Sequence, residues 1–183
     1  DQYASAFGGF NLIEFKEGRN LVHPIRLEDS ICNELEECLV LCDTRISHDS
    51  GKLHVQQREE MSSKGEQSLL LTESVSLCRR MHHHLIRGEL HDFGRCLHDG
   101  WMLKKQFSQA VSDGVLDQIY ECALNAGALG GKLLGAGGGG FFLFFVQPQH
   151  RQAVTEKVRA LGCRTTDFRF ESSGVTSWRT KIQ

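Results

Sequence analysis

Apolar and polar positions along this chain change period several times, and each period predicts an element. Phe10-Asn11-Leu12-Ile13-Glu14-Phe15 and Leu21-Val22-His23-Pro24-Ile25-Arg26-Leu27 flank the segment Lys16–Asn20, which contains Gly18; together they predict a β-hairpin. Glu36–Asp43 reads as a buried strand that ends in the polar segment Thr44–Ser50. A polar helix is predicted from Ser50 to about Met61, broken by Ser62-Ser63-Lys64-Gly65. Leu70, Leu77, Met81 and Leu85, with Ser74 and Cys78 beside them, form a helical stripe that stops near Gly88. A second helix is predicted from about Leu90 to Phe107, with Phe93, Leu97, Trp101 and Phe107 inward. Ser112 or Asp113 can cap a third, which would bury Val115, Leu116, Ile119, Cys122 and Ala123 and stop at Gly127.

The last third is equally patterned. Strands are predicted around Leu129–Leu133 and at Phe141–Val146, then a helix with Pro148 in its first turn, carrying Val154, Val158 and Leu161, with Gly162 at its end. Thr165–Phe170 alternates as a final strand, with Phe168 and Phe170 on one face. From residue 35 the order is strand, helices, strand, turn, strand, helix, strand. An α+β fold, one antiparallel sheet with helices on one face, satisfies it economically. The hairpin before residue 30 is assigned to a different layer.

Composition narrows the function classes. A net charge of −2 over 183 residues gives no broad basic field for nucleic acid. The sequence shows neither a charged-then-apolar leader nor a long apolar span. Its seven cysteines are scattered and lack C-x-x-C pairs, which argues against a disulfide framework and for a reducing cytoplasm. The chain opens at Asp1 without an initiator methionine, which suggests a processed or truncated product.

Gly135-Ala136-Gly137-Gly138-Gly139-Gly140 is the strongest candidate for chemistry. Glycine costs conformational entropy, so such a concentration marks a sharp turn or a close approach of backbone to something else. Consecutive bare N–H groups can cradle an anion. The alternative is a plain hairpin turn. The dinucleotide fingerprint is excluded because a phenylalanine-rich strand, not a helix, follows. A Walker loop is excluded because Lys132 is followed by Leu133, which offers magnesium no hydroxyl.

Other clusters read as structure. His82-His83-His84 are helix neighbours about 100° apart and cannot jointly ligate a metal, and His91 with His98 lacks a third ligand. Cys38 and Cys42 read as small buried hydrophobes, and Arg79-Arg80 and Lys104-Lys105 as surface charges. Arg45 follows a strand end where ligand sites often lie, with Asp43, Thr44, Ser47 and His48 near it; a structural salt bridge is the alternative.

Asp1-Gln2-Tyr3-Ala4-Ser5-Ala6-Phe7-Gly8-Gly9-Phe10 and Asn125–Phe141 together resemble the GHMP small-molecule kinases. The heptose 7-phosphate kinase branch is the nearest in look and the fucokinase branch its competitor. The resemblance implies residues 1–30 as a remnant of an S5-like N-terminal domain and 31–183 as a ferredoxin-like C-terminal domain. It implies an ATP-dependent sugar kinase, present as its C-terminal portion and inactive alone, that phosphorylates the anomeric hydroxyl of heptose 7-phosphate for nucleotide-activated heptose, and so for lipopolysaccharide or capsule. Asp1 would be catalytic. Gly135, Ala136, Gly137, Gly138 and Gly139 would support the phosphate loop, and Thr44 and Arg45 would contact substrate. The family's substrate motif, its P-x-x-x-G-L-G-S-S loop and its Mg2+ ligands have no counterpart in these residues, so they are expected in an N-terminal part. Sugar phosphate and ATP are the implied partners, with a second copy of the chain as a further candidate. A non-catalytic ferredoxin-like binding or dimerisation module is the rival reading.

Overall fold

The computed structural model describes residues 2–47 and 66–179. Asp1, the polar helix expected from Ser50 to Met61 and the break at Ser62–Gly65 lie outside the described residues. A short helix, α1 (Gln2–Phe7), precedes the hairpin of β1 (Phe10–Lys16) and β2 (Arg19–Ile25). The two strands pair antiparallel from Phe10↔Ile25 to Lys16↔Arg19, so the turn is tighter than Lys16–Asn20. Gly18 makes that possible with φ 72°, a left-handed conformation that costs glycine little.

Helix α2 (Asp29–Cys38) corrects the expectation of a strand beginning at Glu36. Ile31, Leu35 and Cys38 recur at helical spacing and meet one hydrophobic cluster, with Leu35 and Cys38 buried. β3 (Leu39–Asp43) starts at the next residue, so a helical stripe runs into a strand without a polar break. Arg151 secures this junction: its guanidinium donates to the carbonyls of Glu37 and Leu39, each at 2.8 Å. Carbonyls at a helix end need such partners because they have none within the helix.

Helices α3 (Glu66–Ile86) and α4 (Leu90–Phe107) pack along one another. Leu77 and Leu85 of α3 are buried, as are Leu97 and Trp101 of α4. A 3-10 turn at Gln109–Val111 leads to α5 (Gly114–Asn125). Asp113 caps α5, its Oδ1 accepting the N–H groups of Val115 and Leu116 at 3.0 and 2.9 Å. Val115, expected inside, is exposed; the buried face is Leu116, Ile119, Tyr120 and Ala123. That i, i+3, i+4, i+7 set leaves the residue beside the cap on the flank.

β4 (Ala128–Leu133) and β5 (Phe141–Val146) form the expected hairpin around the glycine run, followed by α6 (Pro148–Ala160) and β6 (Arg164–Thr166). The sheet order is β4-β5-β3-β6, antiparallel throughout, the split β-α-β-β-α-β arrangement of ferredoxin-like domains. β6 is shorter than expected because Phe168 and Phe170 leave the sheet. The Phe170 ring packs edge-on against Phe10 of the hairpin, 4.7 Å between centroids. Glu36 holds this segment by accepting the Phe170 N–H at 2.8 Å and Arg169 at 2.5 Å.

The apolar run of β5 divides between two clusters. Phe142, Phe144 and Val146 pack with Trp101, Tyr120, Val154 and Val158, and Phe145 with Leu35, Leu90 and Leu97. A strand buried in both directions reads as continuous hydrophobicity rather than alternation. α4 lies very close to β4: a Cβ at Gly130 would fall 2.4 Å from the carbonyl oxygen of Gly94. Glycine is required there by proximity, not by a turn. Among the described residues no helix is long and apolar enough to cross a membrane.

Candidate functional site

The glycine loop joins the ends of β4 and β5 beside the end of β3. The N–H of Leu134 donates to Phe141 at 2.8 Å and closes it as a hairpin. Within the loop, Gly135, Gly137, Gly138, Gly139 and Gly140 all have positive φ, from 69° to 155°. An L-residue with a β-carbon adopts this geometry at a cost, so the run of glycines is a backbone requirement.

Three neighbours hold the loop. The N–H of Gly138 donates to the Val111 carbonyl in the 3-10 turn, and that of Gly140 to the Ile46 carbonyl, both at 2.9 Å. Gly137 presses on the same turn, where a Cβ would sit 3.1 Å from the Cα of Val111. Just past β3, Thr44 donates twice to the Gly140 carbonyl, through its N–H at 2.9 Å and its hydroxyl at 2.8 Å. The same hydroxyl accepts the Ile46 N–H at 3.2 Å. Two of the loop's N–H groups are therefore committed to protein carbonyls, which makes the segment a braced support rather than a fully open anion cradle.

The third neighbour is Lys104 of α4, which donates to the carbonyls of Gly135 at 2.6 Å and Leu133 at 3.3 Å. Burial, with the Lys132 ammonium adding repulsion, pushes the Lys104 ammonium down to about 8. Lys104 is thus not a plain surface charge. Its signal was available: Leu97, Trp101 and Lys104 fall at i, i+4 and i+7, on the side of α4 that faces inward. Lys105 also has partners, an ion pair with Asp117 at 3.1 Å and the Trp101 ring 5.8 Å away.

Arg45 emerges next to this braced loop. Its backbone is left-handed at φ 61°, the only non-glycine case among the described residues. The Asp43 carboxylate accepts its N–H at 2.9 Å and stabilises the kink. Such a conformation costs a residue with a β-carbon, and it recurs where a side chain is aimed for use. The side chain of Arg45 is exposed, and no described carboxylate pairs with it. Thr44 is buried, its hydroxyl engaged with the loop.

The remaining clusters do not gather into a site. His84 pairs with Glu89 at 2.8 Å, and His98 meets the Tyr120 hydroxyl at 2.9 Å. Among the described residues no group of three or more His, Cys, Asp or Glu could hold a metal ion. Cys38 and Cys42 are buried; burial pushes the Cys42 thiol up, and the neighbouring Cys163 adds to it.

Comparison with known proteins places this geometry in context. Residues 81–162 match the family described as GHMP kinases C terminal. The chain is 34% identical to the D-glycero-alpha-D-manno-heptose 7-phosphate kinase of Campylobacter jejuni subsp. jejuni serotype O:2, over 98% of this chain and 53% of the relative. A solved D-glycero-D-manno-heptose 1-phosphate kinase from B. thetaiotaomicron superposes with a TM-score of 0.67 at 26% identity, covering 100% of this chain and 49% of that one. L. major mevalonate kinase in complex with R-mevalonate shares the fold, with a TM-score of 0.72 at 19% identity over 93% of this chain and 51% of that one. The chain spans about half the length of the relatives it matches.

Proposed function

We propose, from the match of residues 81–162 to the GHMP kinases C terminal family and the 34% identity to a heptose 7-phosphate kinase, that this chain is the C-terminal part of an ATP-dependent sugar kinase acting on D-glycero-D-manno-heptose 7-phosphate. The reaction moves the terminal phosphoryl group of ATP to the anomeric hydroxyl and yields the 1,7-bisphosphate. The observation that carries this reading is the braced glycine loop with Arg45 beside it, in a chain 34% identical to a heptose 7-phosphate kinase.

Phosphoryl transfer depends on alignment and charge stabilisation more than on covalent chemistry by the protein. The loop Gly135–Gly139 is assigned a supporting role, keeping its backbone fixed against Val111, Ile46 and Lys104 while a phosphate-binding segment packs on it. Thr44 positions that loop through Gly140. Arg45 offers a planar, permanently charged guanidinium suited to a phosphate of either substrate. Asp1 is assigned as the carboxylate against the attacking hydroxyl, taking up its proton as the new P–O bond forms.

Steady-state kinetics on the complete kinase tests the assignment. Asp1→Asn is expected to lower kcat about 100-fold or more, the usual scale for a lost proton acceptor, with the KM for ATP nearly unchanged. Equal losses in both would remove Asp1 from its role.

A further inference from the structure

A cavity of about 310 Å³ lies between α3 and α4 and reaches Lys104, which holds the glycine loop. That is the lower end of the range for sites that take small organic ligands. Its walls are mostly hydrocarbon, with Leu77 from α3 and Leu97, Leu103 and Phe107 from α4, and carry the sulfur atoms of Met81, Cys78 and Cys96. The one serine in the lining, Ser74, returns its hydroxyl to the Leu70 carbonyl at 2.9 Å, so it asks nothing of a ligand. No aspartate or glutamate lines the cavity.

Both charges in the lining are positive. Lys104 of α4 and Lys132 of β4 both line it, and the Lys132 ammonium repels that of Lys104. Neither has a carboxylate partner among the described residues. Lys104 gives two of its three protons to Leu133 and Gly135, which leaves one N–H for another acceptor. Lys132 is exposed on β4. An apolar trench lined by two like charges without a counter-charge is complementary to one kind of molecule, a hydrocarbon tail with a negative head.

We propose that the cavity between α3 and α4 binds a free aliphatic carboxylate, its chain lying between the helices and its head group bridging Lys104 and Lys132. Two carboxylate oxygens match two ammonium groups, and the tail removes apolar surface from water. Because Lys104 also holds the glycine loop, the bound head group touches the loop's support directly.

Decanoate, titrated below its micelle concentration into the full chain by calorimetry, is the probe. The expected result is saturable binding at one site per chain, with decanol at least tenfold weaker. Lys132→Gln is expected to weaken decanoate about tenfold. Gly100→Leu provides the second test, because a Cβ there meets Leu77 at an ordinary 3.5 Å and a longer side chain fills the trench. Leucine also suits a helix better than glycine, so this variant should retain its thermal unfolding midpoint while losing decanoate binding. Absence of saturable binding would overturn the proposal. So would equal affinity for decanol, unchanged affinity in both variants, or binding only to vesicles of anionic lipid.

Discussion

Thr44 and Gly140 are joined by two hydrogen bonds to a single acceptor, the Gly140 carbonyl, one from the Thr44 N–H and one from its hydroxyl, at 2.9 and 2.8 Å. The residues are 96 positions apart. The contact ties the end of β3 to the end of the glycine loop, and the Ile46 N–H uses the same hydroxyl as its acceptor. Thr44→Val keeps the shape and the backbone bond but deletes the hydroxyl, leaving the Ile46 N–H without its partner. Urea unfolding should register a loss of about 1–2 kcal/mol, the scale of a part-buried bond and an orphaned donor. Thr44→Ser should recover most of it.

The glycines of this region are constrained in two different ways, and substitution separates them. Gly130→Ala would drive a Cβ to 2.4 Å from the Gly94 carbonyl oxygen and 2.7 Å from the His98 nitrogen, both backbone atoms of α4. Helix and strand would have to part, with an expected cost of about 3 kcal/mol or more. Gly135→Ala meets open space and only the penalty of φ 69°, about 1–2 kcal/mol. Equal losses in the two variants would show that the α4–β4 approach is softer than the geometry indicates.

Lys104 gives a pH signature. Its ammonium lies at about 8, below the ordinary 10.5, because of burial and then Lys132. Between those two values the unfolded chain holds the proton more strongly than the folded one. Stability from this group therefore rises with pH across that window, and the penalty is present in full below it. Thermal unfolding of the wild type and Lys104→Met at pH 7 and pH 10 should show the difference shifting in favour of the wild type at the higher pH. A pH-independent difference would mean the ammonium is not desolvated as placed.

Asp113 starts α5, and α5 carries Tyr120, which packs against both Phe142 and Phe144. Asp113→Ala removes the acceptor of two N–H groups and should cost about 1 kcal/mol. Asp113→Asn keeps an acceptor oxygen and should cost less, which thermal unfolding of the two variants compares directly.

Much of this fold is local and could be read from the chain. β5 follows from an uninterrupted apolar run, α4 from its Leu90–Phe107 periodicity, α5 from Asp113 and α6 from Pro148 and Gly162, because caps and periods act within a few residues. The glycine loop could be recognised as a turn before Phe141, and the resemblance of its flanks pointed to the family.

Other features exist only through contacts between distant segments. The change from α2 to β3 at Cys38 is fixed by Arg151, far along the chain, and by packing that no local period contains. Phe168 and Phe170 alternate like a strand yet leave the sheet, since Phe10 and Glu36 offer them better partners. Local signals in the chain specify α3 to α6, both hairpins and the need for a flexible backbone at Gly135–Gly140. Only the tertiary structure decided that this loop is braced by Thr44, Val111 and Lys104, because hydrogen bonds across long sequence separations form between surfaces that folding alone brings together.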